Sequence, residues 1–322
     1  MDRFLAGWKR MVATAVAVGV SVSAAIATEG YMAIEAYSGK VLVASQSETK
    51  KSAGPMTSLA TAILVLDWAR VSKTDIGRKV IVPPSAPLAG PNPLGLAAGD
   101  QIKLRDALYS CLLRNDAAAA STLATFIGVE LEMKRGRRTS NPEGTFVKEM
   151  NVLAKSLNMR RTKFANSHGL AASGKNGTTC VSDMARLSIY AMRDTGFAYY
   201  AKQASRQVSF YPQGGSAKTV TVKNQNPLLG KLAVNGVRAA GGGLNGESLS
   251  VSSQRSPIVN ELPDGRSSIR NRRLIVVVYD SNQAGARAQQ LIGQGWKLYD
   301  QWEASGFNNS ADGKDIIRVP VL

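Results

Sequence analysis

A serine and a lysine stand three residues apart in Ser47-Glu48-Thr49-Lys50. On a helix that spacing puts a hydroxyl and an amine one turn apart on one face. There the amine can take the hydroxyl proton and free an oxygen nucleophile for acyl transfer. These four residues, however, precede the helix, in the connection that follows a strand-like segment, so Ser47 would not project from a rigid helix end. Where the helix opens, the sequence reads Pro55-Met56-Thr57-Ser58, with no nucleophile at its first position and no amine at its last. Ser52 and Thr57 flank this point, and neither has a lysine at the required spacing. Metal chemistry has little to draw on: His168 is the only histidine, and Cys111 and Cys180 are the only cysteines. Asp106, Asp116, Asp183 and Glu247 read as surface or capping carboxylates. No Gly-rich phosphate loop is present, and Gly241-Gly242-Gly243 reads as a flexible turn. No metal or other cofactor is expected.

The elements that would position such residues are legible. Alternation over residues 31–45 around Ser38-Gly39 predicts a two-stranded hairpin. Leu59, Ile63, Leu66 and Ala69 recur at helical spacing, so Met56 to Val71 is a helix, and Pro55 fits its first turn, where no N–H is needed. Ile76 to Pro84 and Gln101 to Leu104 are short extended pieces around a proline-rich loop. Leu104 to Ile127, broken near Arg114, Phe146 to Leu157 and Val181 to Arg193 are helical. The last third turns to strands at Gln207–Phe210, Thr219–Val222, Val234–Arg238, Ser248–Gln254 and Leu274–Tyr279. A final helix from Gln283 to Trp302 follows, its Trp296 and Tyr299 expected against the sheet. With no linker in residues 28–307, this stretch reads as one α+β unit. Its antiparallel sheet would be packed by the first and last helices, with a helical subdomain inserted. Residues 308–322 read as a short tail.

The 322 residues carry a formal net charge of +17, an excess that attracts polyanions such as anionic lipid headgroups and acidic wall polymers. Two basic runs, Lys134 to Arg138 and Arg266 to Arg273, fall in expected loops. At the N-terminus, Arg3, Lys9 and Arg10 precede a charge-free run from Met11 to Ala27 that ends in small residues. This is the pattern of a secretory signal peptide cleaved after Ala27. Left uncleaved, it would be the one membrane contact. Either way the body of the chain is expected outside the cytoplasm, in the periplasm or cell envelope, which removes nucleic acid as a partner. An oxidising compartment would allow Cys111 and Cys180 to pair; two buried thiols are the alternative.

The stretch Gly39 to Ala62, GKVLVASQSETKKSAGPMTSLATA, resembles without a gap the opening of the serine-type D-alanyl-D-alanine carboxypeptidases, the low-molecular-mass penicillin-binding proteins. The resemblance continues through Gly99 to Tyr109, Phe146 to Met159, the Asn166-Ser167-His168-Gly169-Leu170 turn, Val222 to Gly230 and Val234 to Arg255, in the right order over roughly residues 30–307. It implies a β-lactamase/transpeptidase-like fold and a peptidoglycan substrate. It also implies three motifs: Ser-x-x-Lys for acylation, Ser-x-Asn in the helical subdomain, and Lys-Thr-Gly on the edge strand. Here the serine position is Pro55 and the lysine position Ser58. The second motif falls on Asn115-Asp116-Ala117 and the third on Arg238-Ala239-Ala240. A second alignment keeps Asn115 as the motif's asparagine but puts Leu113 at its serine. Arg238 alone retains a group that could hold a carboxylate.

The resemblance therefore implies an exported homologue that is catalytically inactive and binds or scaffolds at peptidoglycan or another anionic envelope component. The alternative is a divergent serine carboxypeptidase acting on stem peptides through Ser47, Ser52 or Ser58.

Overall fold

Gly39 takes a left-handed φ of +79°, and a Cβ there would lie 2.0 Å from the Ile317 carbonyl oxygen, so the chain's end crosses directly over this turn. The turn joins β1 (Gly30–Glu35) to β2 (Val41–Ser45) as the alternation predicts. There follow β3 (Lys51–Ser52), α1 (Thr57–Ser72), β4 (Lys79–Ile81), β5 (Gln101–Lys103), α2 (Leu104–Arg114), α3 (Ala117–Lys134) and α4 (Pro142–Ser156). Then come β6 (Thr178–Thr179), α5 (Val181–Arg193), α6 (Thr195–Ala201), β7 (Ser205–Tyr211), β8 (Lys218–Lys223), β9 (Val234–Gly243), β10 (Gly246–Glu261), β11 (Ser267–Ser281) and α7 (Ala284–Ala304). The structure is a computed structural model that describes residues 29–170, 177–243, 246–262, 264–310, 313 and 315–322. The segment expected to be a signal peptide, residues 1–27, lies outside the described residues.

The main sheet is antiparallel in the order β2-β1-β11-β10-β9. Side chains alternate across β11, so Ile275, Val277 and Tyr279 enter the larger core while Leu274, Val276 and Val278 enter the smaller one. All six are buried, which is why the strand reads as an unbroken apolar run. On the second face lies α7, whose Ala284, Ala288, Leu291, Ile292, Trp296 and Tyr299 form one apolar stripe. The Trp296 indole N–H donates to Ser253 Oγ at 3.1 Å, satisfying its polar atom within that core.

The opposite face is covered by α5, which lies against β1, β9, β10 and β11. This corrects the expectation that the first helix packs the sheet. Instead α1 is wrapped by α2, α3, α4, α5 and α6, and Thr57 to Ile63 are all buried. A helix surrounded this way stands at the centre of the protein rather than on its sheet. The inserted helical lobe is α2 to α4. Its two long helices touch at Gly128, where a Cβ would fall 1.9 Å from the Pro142 carbonyl oxygen. A second sheet, β4-β5-β7-β8, and the small β3-β6 pair complete the fold. Residues 315–322 lie along the surface, held by Arg186 and Arg193, which donate to the carbonyls of Arg318, Val319 and Pro320.

Two further expectations need correction. Gly241 to Gly243 belong to β9, and Gly243 pairs with Gly246. The basic run from Arg266 is mostly strand: Arg270, Arg272 and Arg273 are in β11, and only Arg266 is in the turn. Beyond Ser253↔Val234 on one side and Glu35↔Leu274 on the other, β10 and β11 continue as a two-stranded ribbon to Glu261↔Ser267. Both Cys111 and Cys180 are buried free thiols.

Candidate functional site

The chain reaches the site from β3. Lys51 pairs with Asp280 at 2.9 Å, the Ala53 N–H meets the Gly177 carbonyl at 2.9 Å, and a short 3-10 turn over Gly54–Met56 then leads into α1. Pro55 occupies the first turn, where a missing N–H costs nothing. Ser58, 3% exposed, turns its hydroxyl back onto its own helix and donates to the Pro55 carbonyl at 2.8 Å. The position to which the resemblance assigns the lysine thus carries a hydroxyl engaged with the backbone.

Asn115 ends α2 in the left-handed conformation, φ 59°, which asparagine tolerates better than most residues. Its Nδ2 donates to the Ala239 carbonyl at 3.2 Å and to Gln225 Oε1. Asp116 then caps α3, accepting from the Ala119 N–H at 2.9 Å and from Ser110 Oγ at 2.6 Å. It is a capping carboxylate, but a buried one rather than a surface one. Ala117 is buried beside it and donates its N–H to the Pro91 carbonyl.

Arg238, on edge strand β9, is 1% exposed. Its Nε donates to the Pro55 carbonyl at 3.2 Å, Nη1 to the carbonyls of Cys111 at 2.9 Å and Leu112 at 2.5 Å, and Nη2 to Asn115 Oδ1. One guanidinium therefore ties positions 55, 115 and 238 together. Its acceptors include two of the last four carbonyls of α2, which have no partner within the helix and carry the negative end of the helix dipole. The end of α2 can be followed atom by atom. The Ser110 carbonyl takes the Asn115 N–H, those of Cys111 and Leu112 take Arg238, and that of Leu113 takes the Gln225 N–H at 3.1 Å. Burial lowers the Arg238 pKa to about 10, so the group stays charged at pH 7.

The structure thus brings together Pro55, Ser58, Asn115 and Arg238, with Ala239 contributing its carbonyl and Ala240 buried next to it. Sequence reasoning treats Arg238 as a cation facing a ligand. In the structure its charge is turned inward, onto carbonyl oxygens. Beside the same strand lies a hollow of about 370 Å³ that includes Gln225, Pro227, Ala239, Ala240 and Glu247. Among the described residues that line it, the one charged group is Glu247, a poor partner for a carboxylate ligand. Cys111, next to Ser58 and Arg238, is fully buried, and burial pushes its thiol up to about 12, far from a thiolate nucleophile. Ser47 lies before β3, where its carbonyl accepts from the Ser182 N–H. Lys50 is exposed, and Ser52 pairs in β3 with Thr178. None of these meets the Arg238 cluster through a hydrogen bond among the described residues.

The Asn166-to-Leu170 turn braces the site from below. Asn166 Oδ1 accepts from the Gly169 N–H at 2.6 Å, and His168 Nδ1 accepts from the Leu170 N–H at 3.3 Å. Burial lowers the His168 pKa, which keeps the imidazole neutral for that role. Ser167 reaches Glu143 at 2.6 Å, and its carbonyl receives the Thr61 hydroxyl of α1 at 2.6 Å. Glu143 also accepts from Ser121 Oγ at 2.8 Å. This carboxylate went unread in the sequence because it stands in an ordinary first-turn position of α4. Among the described residues no three His, Cys, Asp or Glu side chains form a metal-binding group.

Asp116 carries a test of this packing. Burial raises its pKa from 3.8 to about 6. The folded state then holds a proton that the unfolded chain has lost between these values, so stability is full below about pH 4 and falls as pH rises through 6. The rise corresponds to about 3 kcal/mol. Asp116→Asn keeps a capping oxygen and has no charge to bury. We expect it to melt higher than the parent at pH 7 and to match it near pH 3.5, as a pH series of thermal unfolding will show.

A family model described as D-alanyl-D-alanine carboxypeptidase matches residues 16–257. The chain is 25% identical over 203 residues to the D-alanyl-D-alanine carboxypeptidase DacF of Bacillus subtilis, covering 58% of this chain and 49% of that protein. It is 26% identical over 209 residues to a D-alanyl-D-alanine carboxypeptidase of Streptomyces sp. strain K15, covering 63% and 68%. The matches therefore span about half of the first relative and two thirds of the second. In fold the chain is similar to the Streptomyces K15 DD-transpeptidase, with a TM-score of 0.68 and 23% identity over 84% of this chain and 98% of that one. It is also similar to penicillin-binding protein D2 of Listeria monocytogenes in its ampicillin-bound form, with a TM-score of 0.59 and 18% identity over 87% and 96%.

Proposed function

The chain belongs to the D-alanyl-D-alanine carboxypeptidase family, and from that premise we propose that it is an exported member which has lost acyl transfer and acts by binding or scaffolding at peptidoglycan. The observation that carries this reading is the Arg238 guanidinium between positions 55 and 115. Acyl transfer needs a hydroxyl beside an amine. Here a proline, a serine bonded to the backbone and a buried guanidinium stand at the corresponding points. The arginine has no role for its proton: it remains charged at neutral pH and cannot serve as a base.

The scaffold around these positions is intact, which supports retention of a fold for binding rather than its decay. The net charge of +17 suits an anionic envelope component, and the family's association with peptidoglycan makes that polymer the first candidate. The N-terminal pattern of basic residues followed by a charge-free run supports export to the periplasm or cell envelope.

Incubation with a fluorescent penicillin tests the loss of chemistry, and sedimentation with insoluble peptidoglycan tests the binding. The expected result is co-sedimentation without covalent label. Covalent labelling that disappears in Ser47→Ala, Ser52→Ala or Ser58→Ala would instead establish a divergent serine enzyme. Failure to co-sediment would remove the binding role and leave the loss of chemistry standing.

A further inference from the structure

A cluster of recognition chemistry that the family site does not use lies between the first turns of α2, helix α6 and strands β7 and β8. There a cleft of about 710 Å³ opens to solvent, within the usual range for small-ligand sites. Its floor is the pair Tyr109 and Tyr200, with ring centroids 4.4 Å apart. Tyr199 stands on the rim with 46% of its surface exposed. Arg206 lies over the Tyr109 ring, 5.3 Å from its centroid, and donates to the Tyr199 hydroxyl at 3.2 Å.

The charge balance is what makes this cleft specific. The neighbours that act on Arg206 are Tyr109, Tyr199 and Tyr200, all neutral phenols, so its guanidinium is oriented but not neutralised. Arg105 adds a second cation to the lining, and Lys202 stands nearby, 5.6 Å from the Tyr199 ring centroid. The one carboxylate on the wall, Asp106, is buried, accepts from the Ser209 backbone N–H, and has Arg105 at 3.7 Å. The remaining wall is hydroxyl and amide: Ser205, Gln207 and Thr221.

A fixed guanidinium selects a carboxylate or phosphate, and a ring edged by neutral donors and acceptors suits a polyhydroxylated ring. We propose that this cleft binds an anionic saccharide unit, with Arg206 and Arg105 on the acidic group, Tyr199 against the sugar face, and Gln207 and Thr221 on its hydroxyls. The assignment stands independently of whether the family cleft has lost its chemistry.

Isothermal titration of the full chain with D-glucuronate, D-glucose 6-phosphate and D-glucose tests it. At least one anionic sugar should bind at millimolar concentration, and glucose at least about tenfold more weakly. Glucuronate alone would identify a carboxylate-bearing source and glucose 6-phosphate alone a phosphate-bearing one. Arg206→Gln and Tyr199→Ala, both on exposed side chains, should keep the parent melting temperature. Each should weaken the anionic sugar at least about tenfold. The proposal is overturned if neither anionic sugar binds, if glucose binds equally well, or if both variants bind like the parent.

Discussion

Arg238→Met should lower the stability of the folded chain by about 3–5 kcal/mol, measured by urea or thermal unfolding. Methionine keeps the apolar stem but stops short of the guanidinium, so the loss combines the unmet acceptors with the small void left where the fork stood. The carbonyls of Pro55, Cys111 and Leu112 and the Asn115 side chain would lose their shared donor in a dry interior. Each buried acceptor left unmatched costs about 1–3 kcal/mol, partly recovered if water enters. Arg238→Lys separates geometry from charge. A single ammonium keeps the cation but cannot reach acceptors spread across the fork, so it should recover only part of the loss. A loss below about 1 kcal/mol in Arg238→Met would show that the carbonyls find other partners. The prediction matters for function because the same side chain ties together Pro55 and Asn115, the positions that the resemblance assigns to the family's first two motifs.

Gly169→Ala is expected to be comparably damaging, by about 3 kcal/mol or more, for a different reason. Gly169 sits at φ +82°, and a Cβ there would lie 1.6 Å from the Gly54 carbonyl oxygen and 2.7 Å from Thr57 Oγ1. The turn would have to withdraw from the start of α1, breaking the support beneath Pro55. Gly214→Ala is the control. Its φ is +71°, but nothing lies within 4 Å of the added carbon, so only the backbone strain remains. About 1 kcal/mol is expected there. If the two variants unfold alike, steric approach at Gly169 is not what holds the turn to the helix.

Much of the fold could be read in advance because its strands and helices carry their periods openly. The apolar run of β11 and the stripe of α7 are such cases, and Trp296 and Tyr299 pack where their spacing puts them. The short pair β3-β6 and helix α6 carried too few residues for any period to emerge. The helix α1 was recognisable, but not its place: its first two turns, Thr57 to Ile63, are buried on every side and have no polar face to say which neighbour they meet. The site was legible as a set of positions. Pro55, Ser58, Asn115 and Arg238 converge, although they are separated widely along the chain. The direction of Arg238 was not legible, because nothing in an isolated arginine tells whether its guanidinium faces solvent or the open end of a helix. A signal existed in Asn115: an asparagine at a helix end announces carbonyls in search of donors.

The ribbon of β10 and β11 gives the positive charge another meaning. Past Arg255 and Arg272 the two strands pair only with each other among the described residues, so each presents an outer row of unclaimed backbone donors and acceptors. Val259 and Ile269 stand opposite one another there, 57% and 65% exposed. Bare edges with aliphatic side chains invite a strand from a neighbouring molecule. Pro257 deletes one donor, the pairing slips between Arg255 and Ile258, and Arg270 and Arg272 line the other strand, while Arg266 in the turn is paired with Asp264. Two such ribbons approaching each other would meet like charge with like charge, a repulsion effective over roughly 8–10 Å at moderate salt. In this part of the molecule arginine sets like charge beside an otherwise unpaired strand edge, which opposes edge-to-edge pairing with a second copy.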